Sequence, residues 1–324
     1  MTTSDLTFKN RGELWLAQWM RRFYMLCPRT LEKHVDAPFS VYTFGTAPAR
    51  TAPIPAIIWA YWNGAVPPLV VQRCFDNWHR FNPRFDIRIL DDTTVRAYIA
   101  HIPPVLDAVS AAKRADWIRL ELLRRYGGIW LDSSTILTAS LDWVLAQQTQ
   151  AQSDFIGYYL ERYTSDPACP VVENWFMAAP PGSAFIADLQ DEFTTQVIAR
   201  SGTDYIAHLE ALGVYLAVRQ KIDIPHYLSM HLALQFILQT KGGYRLCLGK
   251  AEDGPFYYHA LGQWGRTPLK IRLMFSRIAG PLPPLMKLRA PDRRRLDDYL
   301  ERKLYVPGSV AADYLSPGRA PARP

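Results

Sequence analysis

Residues 111–135, AAKRADWIRLELLRRYGGIWLDSST, leave a folding chain few choices. Ala115, Ile118, Leu122 and Tyr126 recur at helical spacing, Leu123 widens the stripe, and Arg and Lys residues fill the other side, so the segment predicts an amphipathic helix. Gly127-Gly128 then offers the left-handed backbone that ends a helix at little cost. Ile129, Trp130 and Leu131 are apolar and β-prone, which predicts a short buried strand. Asp132 therefore falls at the carboxyl end of a strand, where open α/β sheets gather their ligand chemistry. Asp116 and Arg119, three apart, share a helix face, either as an ordinary surface ion pair or as two groups that meet one ligand together.

Upstream, Ile57-Ile58-Trp59 reads as a buried strand, Asn63-Gly64 as a turn, residues 70–80 as a helix and 85–90 as a second strand. Strand, helix, strand in that order predicts a parallel α/β unit. Tyr61 and Trp62 alternate faces on such a strand, so at most one of them is expected to reach a ligand. Downstream, 141–146 begins a helix, 154–159 and 171–179 read as strands, and a further helix starts at Ala184. Residues 202–244 read as helical, punctuated by Gly213, Pro225 and Gly242-Gly243. Asp223, His226 and His231 form no convincing ligand helix and are given no role.

The order Ala-Asp-x-x-Arg followed by Leu-x-x-x-Gly-Gly-Ile-Trp-Leu-Asp resembles the sugar-nucleotide site of the DXD-containing glycosyltransferases. It is most similar to the bacterial capsular polysaccharide synthesis proteins, relatives of the yeast initiating α-1,6-mannosyltransferase and, more distantly, of the clostridial glucosylating toxins. The opening strand Ile-Pro-x-Ile-Ile, running into Trp59, Ala60 and Tyr61, resembles the same family. The resemblance covers residues 54 to 265 and is strongest over 111–134. It implies an α/β fold of GT-A type, with a Rossmann-like nucleotide-sugar-binding half and an acceptor half, flanked by helical N- and C-terminal extensions. The corresponding division is 1–53 for an N-terminal helix and connector, 54–265 for the catalytic domain and 266–324 for a basic extension.

The implied reaction transfers a hexose from a UDP- or GDP-sugar to a hydroxyl of a saccharide or lipid-linked saccharide, with retention at the anomeric carbon, in capsular or other surface polysaccharide synthesis. By resemblance, Asp116 and Asp132 are the catalytic residues, with no general base named; Asp116 and Arg119 hold sugar hydroxyls and a phosphate, and Asp132 binds the metal and ribose or sugar. Trp59, Ala60 and Tyr61 contact the base, Asn174 faces donor sugar or acceptor, and Trp264 closes over the donor. Each tryptophan could equally fill a core. The DXD triplet here is Asp132-Ser133-Ser134, so its second carboxylate is missing. A weak Mn²⁺ or Mg²⁺ site from Asp132, Ser134 and His259 is the expectation, since such ions take hard oxygen ligands and tolerate water. His259, in Phe256-Tyr-Tyr-His259-Ala-Leu-Gly262-Gln-Trp264, could also be a hydrogen-bonded core residue. A glycan- or nucleotide-sugar-binding scaffold that has lost catalysis is the alternative that Ser134 favours.

With 324 residues and 49% hydrophobic content the chain can build one large α/β domain or two smaller ones. No Gly-x-Gly-x-x-Gly follows the first strand and no P-loop occurs, which argues against a nicotinamide dehydrogenase or a nucleoside triphosphatase. Cys27, Cys74, Cys169 and Cys247 have no metal or disulfide spacing, as suits a reducing compartment. No apolar run reaches the length of a membrane span and the amino terminus lacks a secretory layout, so a cytoplasmic protein, at most peripheral on the inner membrane face, is expected. From Arg266 to Lys303 eleven basic residues face four acids, a surplus equal to the whole chain's net charge of +7. That block attracts phosphates, and with Leu, Ile, Met and Phe interleaved it predicts contact with an anionic membrane surface. It has no aromatic-interleaved recognition motif, and no nucleic-acid partner is expected. Leu14, Trp15, Trp19, Arg22 and Phe23 predict an amphipathic helix that either packs on the core or lies on a membrane.

Overall fold

The computed structural model describes residues 8–47, 52–64 and 66–317. Its eleven strands among the described residues are β1 Arg29–Thr30, β2 Ser40–Phe44, β3 Ile57–Tyr61, β4 Asp86–Leu90, β5 Gly128–Leu131, β6 Thr135–Leu137, β7 Phe155–Tyr159, β8 Val172–Ala179, β9 Tyr244–Lys250, β10 Ser276–Arg277 and β11 Leu285–Lys287. Seven of them form one sheet in the order β2-β9-β7-β8-β5-β3-β4. β3 pairs parallel with β4 and β5, β7 pairs parallel with β9, and β8 runs antiparallel to both β5 and β7. Five strands therefore point their carboxyl ends the same way. The predicted strand-helix-strand unit is present as β3, helix Leu69–Phe81 and β4.

Alternation along the strands divides the core between the two faces of this sheet. Ile58, Ala60, Ile129, Leu131 and Phe176 pack on one face with helix Leu69–Phe81. Trp59, Trp130, Phe155 and Met177 pack on the other, with the helices Ala111–Tyr126, Ala184–Glu192 and Ser229–Thr240. A sheet covered on both sides needs apolar residues at every position, which is why β5 is buried throughout.

Helix Ala111–Tyr126 starts on Ser110, whose hydroxyl accepts from the Lys113 amide, and stops at Gly127 with φ of 62°. The two glycines also answer a packing demand. A Cβ at Gly127 would lie 2.5 Å from the Pro181 nitrogen, and one at Gly128 would lie 2.8 Å from the Ile57 carbonyl oxygen. Only a bare backbone lets β5 slide between β3 and β8 here.

The boundary expected at 265/266 is not a packing boundary. Leu269, Leu273, Met274, Phe275, Leu285 and Leu296 share one core with Ile58 and Ile129. The apolar residues thought to meet a membrane are thus interior, and several bases beside them are spent on internal pairs. Lys270 lies 2.8 Å from Glu13 and Arg272 lies 2.9 Å from Glu32. Helix Phe8–Leu26 packs on the core through Leu14 and Ala17, which are buried, while Trp15, Trp19 and Phe23 stay exposed. Among the described residues no helix is long and apolar enough to cross a membrane. The outer parts of the expected 1–53 and 266–324 segments, residues 1–7, 48–51 and 318–324, lie outside the described residues.

Candidate functional site

An open cleft of about 730 Å³ lies over the carboxyl ends of β3, β5 and β7. Its floor is a chain of charges centred on Arg119. Helix Ala111–Tyr126 places Asp116 and Arg119 one turn apart, with Nη1 2.9 Å from Asp116 Oδ1. The strand end places Asp132 across from them, with Arg119 Nη2 2.9 Å from Asp132 Oδ1. The guanidinium lies 4.8 Å from the centre of the Trp130 ring, and the indole Nε1 donates to Asp132 Oδ1 at 3.1 Å. Arg119, at 4% exposure, is therefore a buried bridge between two carboxylates rather than half of a surface ion pair.

β8 supplies the opposite wall. The Asp132 amide donates to the Trp175 carbonyl at 3.0 Å, which fixes Asn174 beside the acids. Asn174 Nδ2 donates to Asp116 Oδ1 at 3.2 Å. A third wall arrives from 155 residues downstream. β11 pairs antiparallel with β6, matching Lys287 with Thr135, and the Leu288 amide donates to the Ser134 carbonyl at 2.9 Å. This register sets Lys287 Nζ 2.7 Å from Asp132 Oδ2.

The two acids differ electrostatically. Burial pushes the Asp116 carboxyl up to about 6, against the charge of Arg119 and with the charge of Asp132 adding to the rise. Burial also raises Asp132, but the Lys287 and Arg119 charges and the bonds from Lys287 and Trp130 outweigh it and hold that carboxyl below its ordinary value. Burial lowers the Lys287 ammonium, and Asp132 opposes the change. The arrangement gives one firmly ionised carboxylate and one that titrates near neutrality, both able to accept hydrogen bonds from ligand hydroxyls.

Asp116, Arg119, Asp132, Ser133, Ser134, Asn174, Tyr61 and Trp264 all line this one cleft. Trp59 and Ala60 do not. Both are fully buried, and Trp59 Nε1 donates to the Gly127 carbonyl at 2.8 Å, so they serve the core and cannot meet a base. Tyr61 and Trp62 both reach the cleft, although alternation predicted only one. Trp62 lies beyond the end of β3, where the alternation of the strand no longer applies. The Tyr61 hydroxyl is engaged by Asp92 at 2.5 Å. Trp264 carries φ of 60°, an unusual backbone for a bulky residue, and the Arg162 and Arg289 guanidinium groups lie 4.5 and 5.3 Å from its ring centre.

His259 takes the core reading of its two. It is 2% exposed, and its Nε2 lies 2.9 Å from Asp292 Oδ2. Burial keeps the imidazole pKa below its ordinary value, in spite of the Asp292 charge, so the ring acts as a neutral partner that helps hold Asp292 and, through it, Arg289. The expected metal set of Asp132, Ser134 and His259 therefore does not converge. Ser134 Oγ donates to the Leu288 carbonyl at 2.8 Å and lies 3.3 Å from Lys287 Nζ. Among the described residues no three His, Cys, Asp or Glu side chains gather as a metal cage. The donors present do not fit a divalent ion.

The sequence reading missed Lys287, Arg289 and Arg293 as cleft residues, having counted them only as part of a charge block. It also gave His226 and His231 no role, yet both line the cleft, with His231 Nε2 3.5 Å from Glu173 Oε1. Asp223 is instead taken by the Tyr163 hydroxyl at 2.6 Å. No local signal could have marked Lys287, since its partner Asp132 lies 155 residues away in the chain.

The chain is 29% identical over 256 residues to the O-glycosyltransferase braB of Annulohypoxylon truncatum, covering 65% of this chain and 60% of that protein. It is 26% identical over 159 residues to the glycosyltransferase afumC of Aspergillus fumigatus, covering 43% of this chain and 39% of that protein. The chain thus spans three-fifths or less of the length of these relatives. Among solved structures it is similar to the glycosyltransferase GlyE of Streptococcus pneumoniae TIGR4, at 9% identity and a TM-score of 0.40, covering 79% of this chain and 65% of that one. It is similar also to the PaToxG glycosyltransferase, at 12% identity and 0.36, covering 84% and 88%. The profile described as "Capsular polysaccharide synthesis protein" matches residues 25–239, which include β3, helix Ala111–Tyr126, β5 and β8, and the chain belongs to that family.

Proposed function

We propose that this chain is a glycosyltransferase that moves a hexose from a nucleotide sugar to a saccharide hydroxyl, in capsular or other surface polysaccharide synthesis, with retention at the anomeric carbon. The observation that carries the proposal is the pair of acids bridged by Arg119 at the end of β5, facing cations from a separate segment across one cleft. Sugar and ribose hydroxyls are donors, and Asp116, Asp132 and the Asn174 carbonyl oxygen can accept from them. A diphosphate is a diffuse anion, and Lys287, Arg289 and Arg293 answer it. Tyr61, Trp62 and Trp264 give flat surfaces for a base or a sugar ring. Family membership and relatives that are named glycosyltransferases support this reading. The GT-A type fold belongs to the same proposal, supported by a mixed sheet with its polar cleft at the carboxyl ends of the parallel strands.

The test is a screen of UDP-, GDP- and CMP-sugars for thermal stabilisation and donor hydrolysis, run beside Asp132→Ala. Nucleotide release from one donor, abolished in the variant, is the expected result. A folded chain that no nucleotide stabilises would sink the proposal and leave a glycan-binding scaffold as the better account. Peripheral contact with an anionic membrane is proposed through helix Phe8–Leu26, whose Trp15, Trp19 and Phe23 are exposed beside Arg22. Co-sedimentation with phosphatidylglycerol vesicles, lost in a Trp15→Ser, Trp19→Ser double variant, tests it; equal sedimentation of both proteins would refute it.

A further inference from the structure

A divalent cation at the end of β5 would need several oxygen ligands with free lone pairs, and Asp132 keeps only about one of its four acceptor sites free. Asp132 Oδ1 already accepts from Arg119 Nη2 at 2.9 Å and from Trp130 Nε1 at 3.1 Å. Asp132 Oδ2 accepts from Lys287 Nζ at 2.7 Å. The position where a second carboxylate would stand is Ser134, whose hydroxyl donates to the Leu288 carbonyl at 2.8 Å. An ion set between Asp132 and Ser134 would lie against the Lys287 ammonium, which is within 3.3 Å of both residues. Two cations at that separation repel, so the site holds one or the other.

Lys287 is no loose surface lysine that a metal would push aside. It is 7% exposed, and the β6–β11 ladder fixes its backbone opposite Thr135. Arg289 and Arg293 follow within two turns of chain and line the same cleft. With Asp132 against Lys287 and Asp292 against Arg289, the ammonium and two guanidinium groups still leave the site net positive, with donors in place of ligands.

We propose that the Lys287 ammonium stands in for the divalent cation and binds the donor's diphosphate, with Arg289 and Arg293, so that this chain needs no metal. The inference rests on the nucleotide-sugar reading above. In the transfer, the bond between the anomeric carbon and the diphosphate oxygen breaks and its electron pair stays on that oxygen. The acceptor oxygen bonds to the anomeric carbon, and the acceptor's proton passes to the released diphosphate. Lys287 and the arginines stabilise the charge that collects on the leaving group. Asp132 holds the Lys287 ammonium at the cleft.

The experiment is calorimetric titration of the full chain with UDP, GDP, UMP and GMP, in EDTA and in Mn²⁺, together with donor hydrolysis in both buffers. The expected result is diphosphate affinity that agrees within about threefold between the buffers, and hydrolysis that survives EDTA. Lys287→Met should weaken diphosphate binding about tenfold or more while changing monophosphate binding by less than about threefold, and Lys287→Arg should restore most of it. Should Lys287→Met melt far below the wild type, the Lys287→Arg variant and the wild-type metal comparison decide the matter. Diphosphate binding that appears only with Mn²⁺ would overturn the inference and leave the nucleotide-sugar reading standing. A folded chain that binds none of the four nucleotides in either buffer would overturn both.

Discussion

Replacing Arg119 by methionine keeps the length of the side chain and removes the charge that joins Asp116 to Asp132. Breaking a buried ion pair by deleting one partner costs about 3–5 kcal/mol, because a carboxylate is left uncompensated. Three features of this site reduce that figure. The side chains of Asp116 and Asp132 are 17% and 31% exposed toward the cleft, so solvent screens part of the loss. Lys287 still holds Asp132. Asp116 already titrates at about 6 and can take a proton instead of standing as a bare charge. The expected loss at pH 7.5 is therefore about 2–4 kcal/mol, a fall in Tm of roughly 3–6 °C for a chain of this size.

The pH dependence distinguishes this account from loss of packing. A carboxyl whose folded pKa lies above its unfolded value destabilises the fold above the folded pKa, and the penalty fades as pH falls toward the unfolded value. In the wild type that window for Asp116 runs from about 6 down to 3.8. Arg119 is the main influence lowering Asp116, so its removal shifts the upper edge higher and concentrates the added penalty above pH 6. Urea melts of both proteins at pH 7.5 and 5.0 should show the difference shrink by about half at the lower pH. A deficit below about 1 kcal/mol at pH 7.5, or one equal at the two pH values, would refute the bridging role.

Other perturbations follow from the same geometry. Gly127→Ala forces a Cβ to 2.5 Å from the Pro181 nitrogen at a φ of 62°, so it should cost about 3 kcal/mol or more and lower the yield of folded protein in a thermal melt. Donor affinity should fall as pH drops through about 6, because protonated Asp116 no longer accepts from two hydroxyls; Asp116→Asn should flatten that step in a pH series of donor titrations. His259→Ala should lose about 2–4 kcal/mol through its buried bond to Asp292, while the response of the melt to Mn²⁺ stays the same as in wild type, because the imidazole belongs to the packing of Arg289 and is no metal ligand.

Much of this fold is written locally. The helix over 111–126, its glycine stop, the strand with Asp132 at its end and the parallel pair before it all follow from period, turn chemistry and β-propensity, which act over a few residues. The sharing of a helix face by Asp116 and Arg119 was legible for the same reason, since one turn of helix decides it. Whether Trp59 serves the core or a ligand stayed open, because an aromatic at a strand position does one or the other according to what covers that face of the sheet, here Tyr98 and the Gly127 carbonyl.

What the sequence alone determined, then, is the strand-end acid, its helix partners and the family resemblance carried by their spacing. Only the tertiary structure decided what stands against that acid. Lys287 reaches Asp132 through the pairing of β11 with β6, a register set by the closure of a long chain segment over a shared core. His259, placed near enough in motif to suggest a ligand, is drawn to Asp292 because a buried carboxylate must be satisfied where the chain packs it. Local spacing can fix which groups a segment offers, but the partners of those groups depend on contacts between distant segments, and those contacts form only when the whole core does.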